Sequence, residues 1–324
     1  MSLAHCRHLL ETRQVTIYFV VVLLAAIFAW QFPGAAALTP AIDPLLGLML
    51  FVTFLQVPLA ALRQALSNVH FLGAILAANF IAIPLLVMLL LGGLPTNPLL
   101  RLGAALVLLA PCIDYVVTFA HSGRADTRQL LASTPVLLAA QMLLLPIFLG
   151  LLVGHDADGL LDPAPFLHAF VWLIAVPLAL AGMCQVWAER SHAGQSVVGW
   201  LGVLPVPATA VVLFVVVVAT IPQLSQSIDT VWTVIPIYVL FAVIAPWLGW
   251  GAARLWRLPA DQGRAVAFSS ATRNSLVVLP IGMAIPGAVP VIPAVIVAQT
   301  LVELLSELVY VKLLSRLGEG RRGL

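Results

Sequence analysis

The sequence predicts an all-α polytopic membrane protein with ten transmembrane helices. These form two inverted five-helix repeats, and broken helices 4 and 9 cross near the membrane midplane. Three observations predict this. The 324 residues are 62% hydrophobic and only 9% charged, and mean hydropathy is +1.10. A soluble domain carries far more charge. The apolar residues fall into ten runs with short polar joints. Two motif pairs recur in the same order in the two halves.

A span needs about 20 mostly apolar residues. Ten runs meet that length, at roughly 15–31, 42–61, 70–92, 99–120, 129–153, 166–187, 198–220, 230–252, 263–285 and 289–314. The joints leave no room for a soluble domain, so residues 1–324 are expected to form one membrane domain. The opening "MSLAHCRHLLETRQ" is polar and is not expected to be a cleavable signal.

Orientation follows from Lys and Arg. With the N-terminus in the cytoplasm, 13 of the 15 basic residues fall on inner segments. Arg101 lies at an outer edge and Arg273 lies inside a span. The outer joints "QFPGAAALTPAID" and "HDADGLLDPAP" hold no basic residue. Both termini are therefore expected in the cytoplasm, with the chain in the cell inner membrane. The net charge of +2 reports topology rather than a nucleic-acid footprint.

Ten spans split into five and five, at approximately 15–153 and 166–314. An odd number per half inverts the second half. In span 5, "TPVLLAAQMLLL" carries Pro135 and Gln141. In span 10, "IPAVIVAQTLVE" carries Pro293 and Gln299, at the same spacing. One span earlier in each half, "APCIDYVV" at 110–117 lies over "ATRNSLVV" at 271–278. The offsets, 158 and 161, differ only by loop length. Inverted repeats mark secondary transporters, whose sites lie where discontinuous helices meet. Pro111 supports a break in span 4, because it cannot donate its backbone bond. "SSATRNS" supports one in span 9, with side chains able to satisfy freed backbone groups.

Four ionisable residues fall at depth: Asp114, Arg273, Glu303 and Glu307. Charges there are expected to face protein or water. Helix rise places Asp114 about 22 Å from the outer edge and Arg273 about 14 Å from the inner one. Both lie near the middle of a core about 30 Å thick. An Asp114–Arg273 pair at the crossing is therefore expected, either as a structural pin or as part of a transport site. Gln299, Glu303 and Glu307 share one helix face. Glu303 is the deeper carboxylate and a candidate proton carrier. Glu307 is expected to be hydrated or to pair with Lys312. Gln141 and Gln299 are candidates for bonding unwound backbone.

Cys6, Cys112 and Cys184 show no CxxC and no metal-ligand spacing, so neither a disulfide nor a resident metal is expected. Cys112 follows Pro111 at the expected break. It reads either as a small apolar filler or as a soft ligand for a thiophilic ion. No zinc motif, Walker loop or nucleophile elbow is present, so no enzyme and no cofactor is expected.

"LLAPCIDYVV", with the basic "HSGRADTRQ" after it, resembles the fourth span of arsenite efflux permeases. These belong to the bile acid:sodium symporter superfamily. "FSSATRNSLVVLP" resembles that family's span 9, and "LVELLSELVYV" its span 10. The resemblance implies export of arsenite or antimonite, with Cys112 touching the metalloid. Asp114, Arg273, Asn274 and Ser275 would line the site, while Asp114 or Glu303 would carry a coupling proton. Leu276 stands where arsenite permeases have a glutamate. Ser269 and Arg273 stand where sodium-coupled members have a glutamate and a glutamine that ligate sodium. A guanidinium at that place would supply the positive charge itself, and it does not deprotonate in practice. The resemblance therefore implies proton rather than sodium coupling. The same fold also suits an organic anion whose carboxylate is held by Arg273. A receptor or channel fits less well, since the charges form no ring or filter. The expected partners are the lipid bilayer and a small solute, with no nucleic acid.

Overall fold

The computed structural model describes residues 3–56, 68–113, 115–153, 167–168, 170–224, 228–283, 285, 287–288 and 290–318. The named elements among them are all helical. Helix α1 (Leu3–Gln31) bends by 64° between His5–Gln14 and Thr16–Gln31. A short 3-10 stretch, Pro33–Ala41, leads into α2 (Ile42–Phe54). Helix α3 (Val69–Leu91) contains a π turn at Ala78–Ala82. That turn has a local cause. Pro84 has no N–H to give to the carbonyl four residues back, so the ladder cannot run on in α register.

Helix α4 (Pro98–Leu108) starts at Asn97, whose side chain accepts from the Leu100 N–H at 3.2 Å. It stops three residues before Pro111, and the chain resumes as α5 (Val116–Ser122). Asp126 caps α6 (Thr127–Val153) through the Gln129 N–H at 3.1 Å. A π turn at Phe170–Ala175 precedes α7 (Val176–Arg190). Then come α8 (His192–Leu201) and α9 (Pro205–Leu224), bent 43° between His192–Leu201 and Pro205–Thr220. Helix α10 (Ile228–Leu255) packs along α11 (Ala260–Ala271). After a second interruption come α12 (Ser275–Met283) and α13 (Val291–Leu314).

Among the described residues, six helices are long and apolar enough to cross a membrane, or eight if each bent pair crosses once. The ten-span expectation exceeds this for a physical reason. The runs at 99–120 and 263–285 are each split into two pieces of 7 to 12 residues. No such piece spans about 30 Å alone. Helix α13 is the most buried of the long helices and forms the centre. Leu85, Leu89, Leu143, Leu151, Leu240 and Leu305 stay exposed, as a lipid-facing surface requires.

Candidate functional site

The two interruptions meet. The Cys112 N–H donates to the Thr272 carbonyl at 3.0 Å, and the Asn274 N–H donates to the Ala110 carbonyl at 2.7 Å. Together they form an antiparallel bridge between Pro111 and Arg273. Unwound backbone has no water to bond with inside a membrane. Here each break satisfies the other. Pro111 forces the first break. At the second, Thr272 is extended at φ −101° and ψ 132°, and its hydroxyl bonds back to the Phe268 carbonyl.

This crossing positions Arg273, which is fully buried. Its Nη2 donates to Asn79 Oδ1 at 2.9 Å and to the Ser269 carbonyl at 2.7 Å. Its Nη1 donates to the Leu108 carbonyl at 3.3 Å. The guanidinium carbon lies 5.5 Å from the centre of the Phe241 ring, a cation–aromatic geometry. Two of these acceptors have special standing. Leu108 closes α4, and Ser269 belongs to the last turn of α11. Each helix C-terminus carries about half a negative charge. One guanidinium therefore balances two helix ends that converge on it. Asn79 comes from the π turn of α3 and also donates to Ser269 Oγ at 3.0 Å.

Two carboxylates lie behind the crossing on α13. Glu303 Oε2 accepts the Arg273 backbone N–H and the Gln299 amide, both at 2.6 Å. Its Oε1 accepts the Tyr115 hydroxyl at 2.5 Å. Glu307 is fully buried, with its carboxyl oxygen against the Thr272 hydroxyl oxygen. That corrects the expectation of a hydrated or Lys312-paired Glu307. The face shared by Gln299, Glu303 and Glu307 is turned wholly onto the crossing, so its last member is buried with the first two.

The other candidates are placed as follows. Cys112 is a buried thiol whose backbone belongs to the crossing. Asn274 Oδ1 accepts the Val277 N–H at 3.4 Å, at the start of α12, while its Nδ2 has no partner. Ser275 Oγ likewise has none. Gln141 is buried, and neither of its side-chain polar atoms is bonded, so it does not brace the unwound backbone as expected. Asp114 lies outside the described residues, and with it the expected Asp114–Arg273 pair.

Sequence reading missed Asn79, Tyr115, Thr272 and Phe241. Asn79 had a signal: it is the one polar side chain in the run from Phe71 to Leu91. Phe241 had none, since one aromatic among many is silent until its neighbours are known.

A cavity of about 530 Å³ adjoins the crossing, lined among others by Tyr18, Thr53, Gln56, Tyr115, Thr118 and His121. The Arg7–Glu11 ion pair, at 2.7 Å, also borders it. Arg273 does not line it. Among the described residues no cluster of three or more His, Cys, Asp or Glu could hold a metal ion.

A family model described as Sodium Bile acid symporter family matches residues 43–227, more than half of the chain. The match includes the first break and ends before the second. No curated protein matches the chain.

Proposed function

The chain belongs to the sodium bile acid symporter family, and from that premise we propose that it is a secondary membrane transporter working without bound sodium. The observation that carries this is the seat of Arg273. In discontinuous-helix transporters, half-helix C-termini and unwound carbonyls coordinate the coupling cation. Here the carbonyls of Leu108 and Ser269 and the amide oxygen of Asn79 are occupied by a guanidinium of the protein itself. A cation tethered to the chain cannot enter and leave with each cycle. Coupling then falls to a proton, and Glu303 is the carboxylate bonded to the crossing backbone.

The proposed architecture is ten spans in two inverted five-helix repeats. The six long helices, the two bent pairs and the two interrupted pairs together supply ten. The antiparallel meeting of the two interruptions supports the inversion. Both termini lie in the cytoplasm in this reading, and the membrane is the inner one.

For the solute, the first reading is arsenite or antimonite export. It is supported by Cys112 at the break, beside Asn274 and Ser275, which have unpartnered polar atoms. The second reading is an organic anion. It is favoured by the cavity of about 530 Å³, which is roomy for a metalloid and within the usual range for organic ligands. The test is uptake into everted membrane vesicles driven by a proton gradient without sodium, comparing wild type with Cys112→Ala. Cysteine-dependent arsenite accumulation supports the first reading. Its absence in folded protein removes that reading and leaves the organic anion. Uptake that requires sodium sinks the proposal as a whole.

A further inference from the structure

We propose that the Tyr115 hydroxyl is the proton-transfer link between the cavity and Glu303. The inference rests on the reading of Glu303 as the coupling carboxylate and adds the route by which it is reached. Glu303 is buried and does not line the cavity, whereas Tyr115 does. The Tyr115 hydroxyl lies 2.5 Å from Glu303 Oε1 and 3.4 Å from the Arg273 carbonyl. The other oxygen of Glu303 already has two donors, Arg273 N–H and Gln299 Nε2, neither of which can act as a proton relay at ordinary pH.

Glu303 Oε1 and the Arg273 carbonyl, both within reach of the hydroxyl, define a cycle. With Glu303 ionised, Tyr115 donates to Oε1. A hydronium in the cavity gives a proton to Tyr115 Oη as the original phenolic proton passes to Oε1. One O–H bond breaks and one forms on Tyr115, one forms on Glu303, and water is left. The protonated Glu303 then donates back to Tyr115, whose remaining hydrogen turns to the Arg273 carbonyl. Release runs the same steps in reverse. The phenol stays neutral at the start and end, so no charge is parked on it.

Other groups act on this pair. Arg273 faces Glu303 from the second break, and Glu307 and Tyr310 share its helix. Cys112 belongs to the first break, and its N–H bonds the Thr272 carbonyl, one residue before Arg273. Tyr238 on α10 is engaged elsewhere, with the Val295 carbonyl at 3.1 Å. His121, Arg7 and Glu11 border the cavity side of Tyr115.

The experiment uses the full chain in detergent and protons as the only ligand. A rapid shift from mildly alkaline to mildly acidic buffer is followed by the infrared carbonyl band of a protonated carboxyl. Loss of the band in Glu303→Gln assigns it. In Tyr115→Phe the ring and its edge contact with Phe119 are kept and only the hydroxyl goes. The band is expected to rise about a hundredfold more slowly, the scale of a positioned proton-transfer group. A Tyr115→Phe band rising at the wild-type rate overturns the relay and leaves proton coupling standing. A wild type with no Glu303-dependent band removes the coupling reading itself, and the relay with it. A fluorinated tyrosine at position 115 keeps both fold and hydroxyl while making the phenol more acidic. A rate unchanged by it also overturns the relay.

Discussion

Arg273→Gln removes the charge from the crossing and keeps an amide that can bond at most some of the three acceptors. Arg273 now satisfies Asn79 Oδ1, the Ser269 carbonyl and the Leu108 carbonyl. Each buried acceptor left bare costs about 1–3 kcal/mol. Loss of the cation from the Phe241 face adds about 0.5–2 kcal/mol. Relief from burying a guanidinium runs the other way and is worth several kcal/mol. For removal of one member of a buried charge cluster, the net is about 3–5 kcal/mol of destabilisation. That lowers the melting temperature by roughly 5–15 °C. The eight tryptophans make intrinsic fluorescence in detergent a usable probe. The sharper reading comes from adding sodium. The vacated place keeps its oxygens and two helix C-termini, so sodium should bind the variant and raise its melting point, while potassium or choline should not. At a hundred times the dissociation constant, sodium restores about 2.7 kcal/mol. The wild type should not respond, because the place is filled. Equal sodium stabilisation of both proteins, or a variant as stable as wild type, refutes the reasoning.

Three further outcomes are expected. The double variant Ser269→Glu/Arg273→Gln puts a carboxylate and an amide where the guanidinium was held, and its transport should become sodium-dependent in vesicles; proton-driven, sodium-indifferent transport would count against the reading of Arg273 as a built-in cation. Glu303→Gln should retain solute exchange but lose accumulation against a gradient, read by comparing counterflow with net uptake. Gly249→Ala should cost about 1–3 kcal/mol by overpacking, checked by thermal unfolding. A Cβ there would sit 2.8 Å from the Val266 carbonyl and 2.8 Å from Ser270 Cβ, so α10 and α11 would have to part.

The helical, multi-pass character was legible because lipid demands long apolar runs, and six such helices, or eight with the bent pairs, stand among the described residues. Both interruptions were legible too, since Pro111 and "SSATRNS" act on the backbone locally. Glu307 was misjudged because helical spacing says which residues share a face, not what the face meets. Gln141 failed for the same reason: its repeat partner Gln299 found Glu303, while its own side chain found nothing.

The sequence by itself determined a helical membrane chain, its two breaks and the charges placed at them. These follow from hydropathy, from proline chemistry and from the cost of charge in lipid, all local quantities. Only the tertiary structure decided what the arginine holds. Asn79, Leu108 and Ser269 come from three separate helices, and Arg273 meets Asn79 across 194 positions of chain. The direction in which each side chain points at a broken helix depends on how the two breaks bond each other. That is a long-range choice, made when the carbonyls of one break find the N–H groups of the other.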